Sequence, residues 1–371
     1  MNLSYWEIKN WLTNIDYTIV GSGIVGLNCA LQLKQRYPKS KILILEKGIL
    51  PQGASTKNAG FACFGSLSEI IDDLNHHSEI EVIDLIKKRI NGLQLLRETL
   101  GDKAIGYKNF GGYELFLESD ETLYNSCIDK REYVNQLVYP LFNTEVFSFK
   151  ANKFGFKTIK SKYAFNPLEG QIDTGKMMDA LLYKVQSLVI KILNNCVVET
   201  FSEDSNSVKL KTNHFTLSTQ KLFIAINGFA KQLNIPEVQP ARAQVLITKP
   251  IDNLHIRGTF HLDEGYYYFR NIDDRILLGG GRNLDFKTEA TTTFGETEII
   301  QNKLEELLKT IILPETNFEI DHRWSGIMGV GKQKKAIIKQ LSEHVFCGVR
   351  LGGMGIAIGS TIGKQLAQLL D

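Results

Sequence analysis

The feature that most narrows what this chain can fold into is a glycine pattern near its start. Gly21, Gly23 and Gly26 satisfy G-x-G-x-x-G, directly after an apolar segment at 17–20 and directly before a helical one at 24–36. Ile24, Leu27 and Leu31 give that helix one apolar stripe, Gln32, Lys34, Gln35 and Arg36 face solvent, and Tyr37-Pro38 ends it. Residues 41–45, KILIL, read as a buried parallel strand, completing a β-α-β unit whose right-handed crossover sets the helix start over the carboxyl end of the first strand. There the first glycine makes a tight turn, the second lets a pyrophosphate approach the backbone, and the third lets helix and strand pack closely. Gly21, Ser22, Gly23, Ile24, Val25 and Gly26 are therefore candidate phosphate contacts, through amides that the helix start leaves unpaired. Glu46, followed by Lys47, closes the second strand about 20 residues later, where a carboxylate accepts from ribose hydroxyls and repels a 2′-phosphate. The turn predicts an adenine dinucleotide other than NADP and leaves NAD and FAD both open.

Composition sets the remaining bounds. A chain of 371 residues suggests two intertwined domains. With 23% charged residues, 43% hydrophobic ones and a net charge of +2, no strong field favours nucleic acid or an anionic membrane. The run Lys332, Lys334, Lys335, Lys339 lacks interleaved aromatics and reads as a solvated loop. Five cysteines, scattered and never as CxxC, argue against a disulfide framework or a metal site and for a reducing compartment. The polar N-terminus lacks the apolar run of a signal or anchor, so a cytoplasmic protein without a membrane span is expected. Further on, Ser78 and Glu81 form a capping box for a helix over 78–100 ended by Gly101, with Ile83, Ile86, Ile90 and Leu93 as its buried face. From 110 to 289 the pattern is mostly short strands, apart from a helix over 175–192. A helix over 296–308 follows, then a strand at 345–348, a glycine turn and a helix over 356–370.

After Glu46 the stretch KGILPQGASTKNAGF is dense in small residues, and Gly53-Ala54-Ser55 and Ala59-Gly60 leave the backbone free to lie against a flat ring. From this point the sequence resembles the D-amino acid oxidase family of flavoproteins, which includes glycine, sarcosine and γ-glutamylputrescine oxidases. The resemblance spans nearly the whole chain: GSGIVGL, GASTKNAGF, EGQIDTGKMMDAL, LFIAINGFA, YYYFRNIDDRILLGGG, RWSGIMGVG and FCGVRLGGMGIAIGS, in that order. It implies an α/β (mixed α+β) fold with FAD as cofactor. A Rossmann-like FAD-binding domain of the glutathione-reductase type (1–85, 166–240 and 321–371) would interleave with an antiparallel-sheet substrate domain (86–165 and 241–320). By the same resemblance Ser55 faces the pyrophosphate, and Asn58, Ala59, Gly60, Phe61 and Ala62 run beside the ribityl chain and flavin. Val197 or Val198 either contacts adenine through its backbone or is plain core. Asn227-Gly228 resembles the second dinucleotide contact, and Gly326 lies on the strand facing the flavin. The turn Gly352-Gly353-Met354-Gly355, leading into a helix from Ile356, puts free amides and a positive helix end at one point, suited to the anionic edge of reduced flavin.

The resemblance further implies oxidation of a C–N bond of a small-molecule amine or amino acid by hydride transfer to flavin N5. That chemistry needs alignment more than acid–base machinery, and no triad motif is found, so no catalytic residue is assigned. Tyr267 is the substrate-wall candidate, with Tyr266 and Tyr268 alternating to the other strand face. Where α-amino-acid oxidases of the family carry a carboxylate-binding arginine, this chain has Met328. Arg350, Arg270 or Arg242 would have to substitute, or else the substrate lacks an α-carboxylate. Cys63 reads as a small buried thiol. Two alternatives differ in kind: an FAD-dependent 2-hydroxy-acid dehydrogenase using His255, His261 or His322 as base, and a flavin-bound subunit of a larger complex without activity of its own.

Overall fold

The computed structural model describes residues 2–370 and has two large sheets and a short two-stranded one, Phe61–Ala62 with Gly170–Gln171. In the first, strand Ile15–Val20 pairs in parallel with Ile42–Leu45 on one side and Thr216–Ile224 on the other. Thr216–Ile224 pairs in parallel with Val345–Val349 and Ile42–Leu45 with Lys191–Leu193, while Val198–Glu203 and Val208–Thr212 add an antiparallel hairpin. Every residue of Ile42–Leu45 is buried, as expected of a parallel strand covered on both faces.

Helix Ile24–Arg36 packs on this sheet and against the C-terminal helix Gly355–Gln368. Glycines let the helix backbones approach. A Cβ on Gly363 would stand 2.6 Å from the Val25 carbonyl oxygen, and one on Gly92 would run into the Ala357 carbonyl. Helix Glu79–Leu100 therefore docks on the C-terminal helix through Gly92. Ser78 and Glu81 do form the expected capping box, but the fully buried stripe is Val82, Ile86, Arg89, Gly92 and Leu96, rotated from the isoleucine stripe that the sequence suggests.

The second sheet runs in the order Ile320–Val330, Gln239–Thr248, Arg275–Gly280, Tyr267–Ile272, Thr259–Leu262, Gly112–Glu114, Lys162–Asn166, Ser148–Ala151. All its neighbours are antiparallel except Thr259–Leu262 with Gly112–Glu114. One face buries Phe260, Phe269 and Leu278 under helix Glu298–Leu307. The Phe260 and Phe269 rings stack with centroids 4.5 Å apart. The other face turns toward the dinucleotide sheet.

Two helices depart from the sequence reading. Glu121–Phe142 is a helix of 22 residues within the stretch expected to be strands, and Leu67–His76 is a shorter one. Glu121–Phe142 fully buries only Cys127, Val134, Asn135 and Val138, so its apolar signal is sparse, and Tyr, Val and an internal Pro140 weaken its local helical preference. The helix expected over 175–192 spans Thr174–Ser187, with Asp173 as its cap.

Candidate functional site: one cavity between two glycine turns

The turn after the first strand is shaped by contacts that only glycine allows. Gly21 has φ 103°, and a Cβ there would stand 2.7 Å from the Ala225 carbonyl oxygen. A Cβ on Gly26 would run into the Gly21 carbonyl, so helix and strand meet at the distance that the third glycine permits. The Ile24 N–H donates to Ser55 Oγ at 2.9 Å, which places the small-residue loop directly over the helix start. Glu46 is buried, and its carboxylate accepts from Ser22 N–H at 3.0 Å, Ser22 Oγ at 2.7 Å and Gly48 N–H at 3.0 Å. It thus ties the two strand ends together as well as facing the cavity.

The loop 53–62 is fixed from several sides. Asn58 donates to the Ser55 carbonyl at 2.8 Å and accepts from Gly60 N–H at 2.8 Å and Thr174 Oγ1 at 3.0 Å. Trp324 Nε1 donates to the Lys57 carbonyl at 2.9 Å, and Arg270 Nε donates to the Ala59 carbonyl. At the far end of the chain, Asn227 Oδ1 accepts from the backbone N–H groups of Arg350 and Leu351 at 3.0 and 3.1 Å. Asn227 thereby joins the end of the Thr216–Ile224 strand to the C-terminal glycine turn. A Cβ on Gly352 or Gly353 would meet nothing within 4 Å, and the first turn of the helix beyond has N–H groups without intrahelical partners.

These parts enclose one cavity of about 600 Å³. Gly21, Gly23, Ile24 and Val25 open onto it from the N-terminal turn, and Gly352, Gly353, Met354, Gly355 and Ile356 from the C-terminal one. Glu46, Lys47, Val197 and Val198 line one end; Ser55, Asn58, Ala59, Gly60, Phe61 and Asn227 also lie on its wall. The second sheet supplies the roof. Trp324, Val245, Gly279, Tyr268, His261 and Glu114 are cross-strand partners in a row, and Gly326 pairs with Ala243 in the next row. Ala243 and Gly326 line the cavity from that face, while the Tyr268 ring lies over Gly279 and the Lys57 stem beside Gly326. The first residues to fit are those of the two turns, and their exposed amides suit an anionic, elongated dinucleotide.

Several expected site residues lie elsewhere. Tyr267 does not line the cavity; it is 5% exposed and packs in the core under helix Glu298–Leu307, while Tyr266 and Tyr268 are on the wall. The side chains do alternate, with the opposite phase, because helix Glu298–Leu307 covers the sheet face that carries Tyr267. Arg350 is also off the wall: its Nε donates to the Lys335 carbonyl at 3.0 Å. Arg270 is a buried clamp on the loop 53–62, and Arg242 forks onto Glu289 at 2.7 and 2.9 Å. Ser22, Gly26, Ala62 and Gly228 support the wall from behind; a Cβ on Gly228 would stand 2.5 Å from the Met328 carbonyl oxygen. Met328 does line the cavity. The basic run is an exposed loop over 331–336 that leads into strand Ile337–Gln340, and its charges are paired: Lys334 with Asp73, Lys335 with Glu81 and Lys339 with Glu237, while Lys334 also reaches the cavity.

Sequence reasoning missed Lys57, Glu69, Arg89 and Arg282 on the wall. Arg89 had a signal, a charge three residues after Ile86 on an apolar helix face. It donates to the Phe64 carbonyl at 2.8 Å and pairs with Glu69 at 3.0 Å. Burial pushes the His261 imidazole down to about 4, so it is neutral at neutral pH, and its Nε2 has no partner. Burial pushes the Tyr268 phenol up to about 12 and the Cys63 thiol well above its ordinary value, so Tyr268 stays protonated and Cys63 is a poor nucleophile.

Two glycine turns from opposite ends of the chain thus face one cavity, and the family model of the FAD dependent oxidoreductases (DAO) matches residues 16–369. The chain belongs to the DAO family. FAD is accordingly its cofactor. This DAO-family chain is 20% identical to the probable oxidoreductase OrdL of Haemophilus influenzae, over 97% of this chain and 83% of that one. It shares its fold with glycine oxidase from Geobacillus kaustophilus (TM-score 0.77, 19% identity, 96% of this chain and 94% of that one). L-proline dehydrogenase from P. horikoshii is similar too (TM-score 0.75, 17% identity, 96% and 93%). No helix among the described residues is long and apolar enough to cross a membrane.

Proposed function

We propose that this chain oxidises the C–N bond of a small amine or amino acid, with the product imine hydrolysing after release. The observation that carries the reading is the shared cavity, with both glycine turns on one side and an uncharged sheet face of Tyr268, Val245, Gly326 and Met328 on the other. When bound, FAD supplies the hydride acceptor. The N-terminal turn with Ser55 would hold its pyrophosphate, and Glu46, Lys47, Val197 and Val198 its adenosine end. Asn58 to Ala62 would lie along the ribityl chain and ring. The C-terminal turn would face the ring's pyrimidine edge, where its amides and helix dipole stabilise negative charge. The sheet face excludes water and holds the substrate against the ring, which is the alignment that this chemistry needs. That the glycine oxidase and the L-proline dehydrogenase of this fold are both named for an amino acid supports the reading.

The proposed division into a FAD-binding part (1–85, 166–240, 321–371) and a substrate part (86–165, 241–320) is supported by the two large sheets, except that strand Ile320–Val330 belongs to the second sheet through its pairing with Gln239–Thr248. Five free, buried cysteines fit the cytoplasm.

His261 favours one second reading, oxidation of a 2-hydroxy acid, since a neutral imidazole on the wall is placed to accept a hydroxyl proton. Anaerobic bleaching of the FAD-loaded protein separates the two. Glycine, N-methylglycine, proline or putrescine should bleach the flavin and 2-hydroxyglutarate should not. Bleaching by hydroxy acids alone overturns amine oxidation, and no bleaching by any of them points to a subunit inactive by itself.

A further inference from the structure

Met328, on strand Ile320–Val330, gives the cavity wall an uncharged side chain. The arginines near the cavity are mostly committed to the fold. Arg242 is locked onto Glu289, Arg270 onto the Ala59 and Asn271 carbonyls, Arg350 onto the Lys335 carbonyl, and Arg89 onto Glu69 and the Phe64 carbonyl. Pulling Arg242, Arg270 or Arg89 onto a ligand would leave a buried partner unpaired, and Arg350 does not line the cavity.

Arg282 is different. It opens the short turn Arg282–Leu284, after Gly281 with φ 79°, and lines the same cavity. Its guanidinium lies over the Phe286 ring, 4.7 Å from the centroid, and the Tyr266 ring meets Phe286 at 6.1 Å. Tyr266 and Phe286 are 39% and 46% exposed, which puts this group at the cavity rim. Nearby carboxylates are engaged elsewhere: Asp263 accepts from Asn283 at 3.1 Å, and Glu289 accepts from Arg242 and Gln244. Glu264 lines the cavity without pairing with Arg282, and no carboxylate among the described residues forms an ion pair with it. Burial lowers the pKa of this half-buried guanidinium, a desolvation cost that an incoming anion would offset. Ring stacking fixes the plane of its donors and leaves their fork free.

We infer that Arg282 is the anion-recognising residue of the site, forking onto a substrate carboxylate at the rim while the reacting nitrogen lies deeper, against Tyr268 and Met328. The inference rests on the amine-oxidation reading and deepens it: the substrate class becomes amines that also carry a carboxylate. Lys57, whose stem packs against Gly326, is the competing cation on the wall.

The test is titration of the FAD-loaded protein with acetate and with glutarate, followed by flavin absorbance and by calorimetry, with acetamide as the uncharged probe. Carboxylates should bind and acetamide should not. Arg282→Met should weaken carboxylate binding roughly ten- to a hundredfold and Arg282→Lys less. In turnover, Arg282→Met should raise KM for amino acids more than it lowers kcat. Unchanged carboxylate binding in Arg282→Met, equal binding of acetamide by the unmodified protein, or loss in Lys57→Met but not in Arg282→Met overturns the assignment. If carboxylates bind through Arg282 yet no amine or amino acid bleaches the flavin, the amine-oxidation reading fails and the anion site stands.

Discussion

At Gly26 a single methyl group would separate the first helix from its strand, since it would meet the Gly21 carbonyl and stand 3.3 Å from the Ile19 side chain. Gly26→Ala should cost about 2 kcal/mol by overpacking, and it should widen the turn enough for FAD to be lost on desalting. Urea unfolding and the absorbance retained after gel filtration check both effects. Most of the turn residues could be read in this way from the sequence, because each glycine answers a local steric demand. Tyr267 and Tyr268 could not be told apart on the same basis. Alternation fixes only that they face oppositely, and which face meets the cavity depends on which sheet packs above it. Arg282 had no sequence signal: an arginine after three glycines reads as a loop residue until Phe286 and the rim of the cavity are placed around it.

Among the elements, three helices are joined by two contacts built from glycines. Helix Glu79–Leu100 touches Gly355–Gln368 through Gly92, and Gly355–Gln368 touches Ile24–Arg36 through Gly363. The same C-terminal helix begins at the cavity, so its seating positions the amides of Gly353 and Gly355. Gly92→Ala should force the Ala357 backbone away and destabilise the fold by about 1–3 kcal/mol, with a shift in the flavin absorption spectrum. A Tm lowered by several degrees with an unshifted spectrum would confine the effect to packing. Elements with dense periodicity or caps were readable from the sequence: the β-α-β unit, the Ser78 capping box and the C-terminal strand, turn and helix. Helix Glu121–Phe142 was not, because it buries little of its surface and owes its form to packing against Leu67–His76 and Glu79–Leu100.

For the molecule as a whole, stability should depend on two buried groups near the cavity. Burial pushes Glu169 up to about 8 from an ordinary 4.5, opposed by donation from the Phe64 and Gly65 N–H groups. Because the folded state holds this proton more tightly, its contribution is complete below pH 4.5 and is lost as pH rises through 8. His261, pushed down to about 4 from 6.5, acts oppositely: its contribution is complete above pH 6.5 and is lost as pH falls toward 4. Glu169→Gln should therefore leave stability near pH 5 almost unchanged and raise it at pH 8.5 by something on the order of 3 kcal/mol. Denaturant midpoints at the two pH values measure this, and equal effects at both would place the carboxyl's titration elsewhere.

The sequence alone determined the parts whose physics is local: a glycine turn between strand and helix, a carboxylate at the next strand end, and a second glycine turn before an apolar helix. It also carried the family resemblance, through the order of those parts along the chain. Only the tertiary structure decided that the two turns face one cavity, which aromatic side chains form its wall, and which arginine remains free to meet a ligand. Those outcomes depend on sheet packing and on which buried partners claim each charge, and both are set by contacts between residues far apart in the chain.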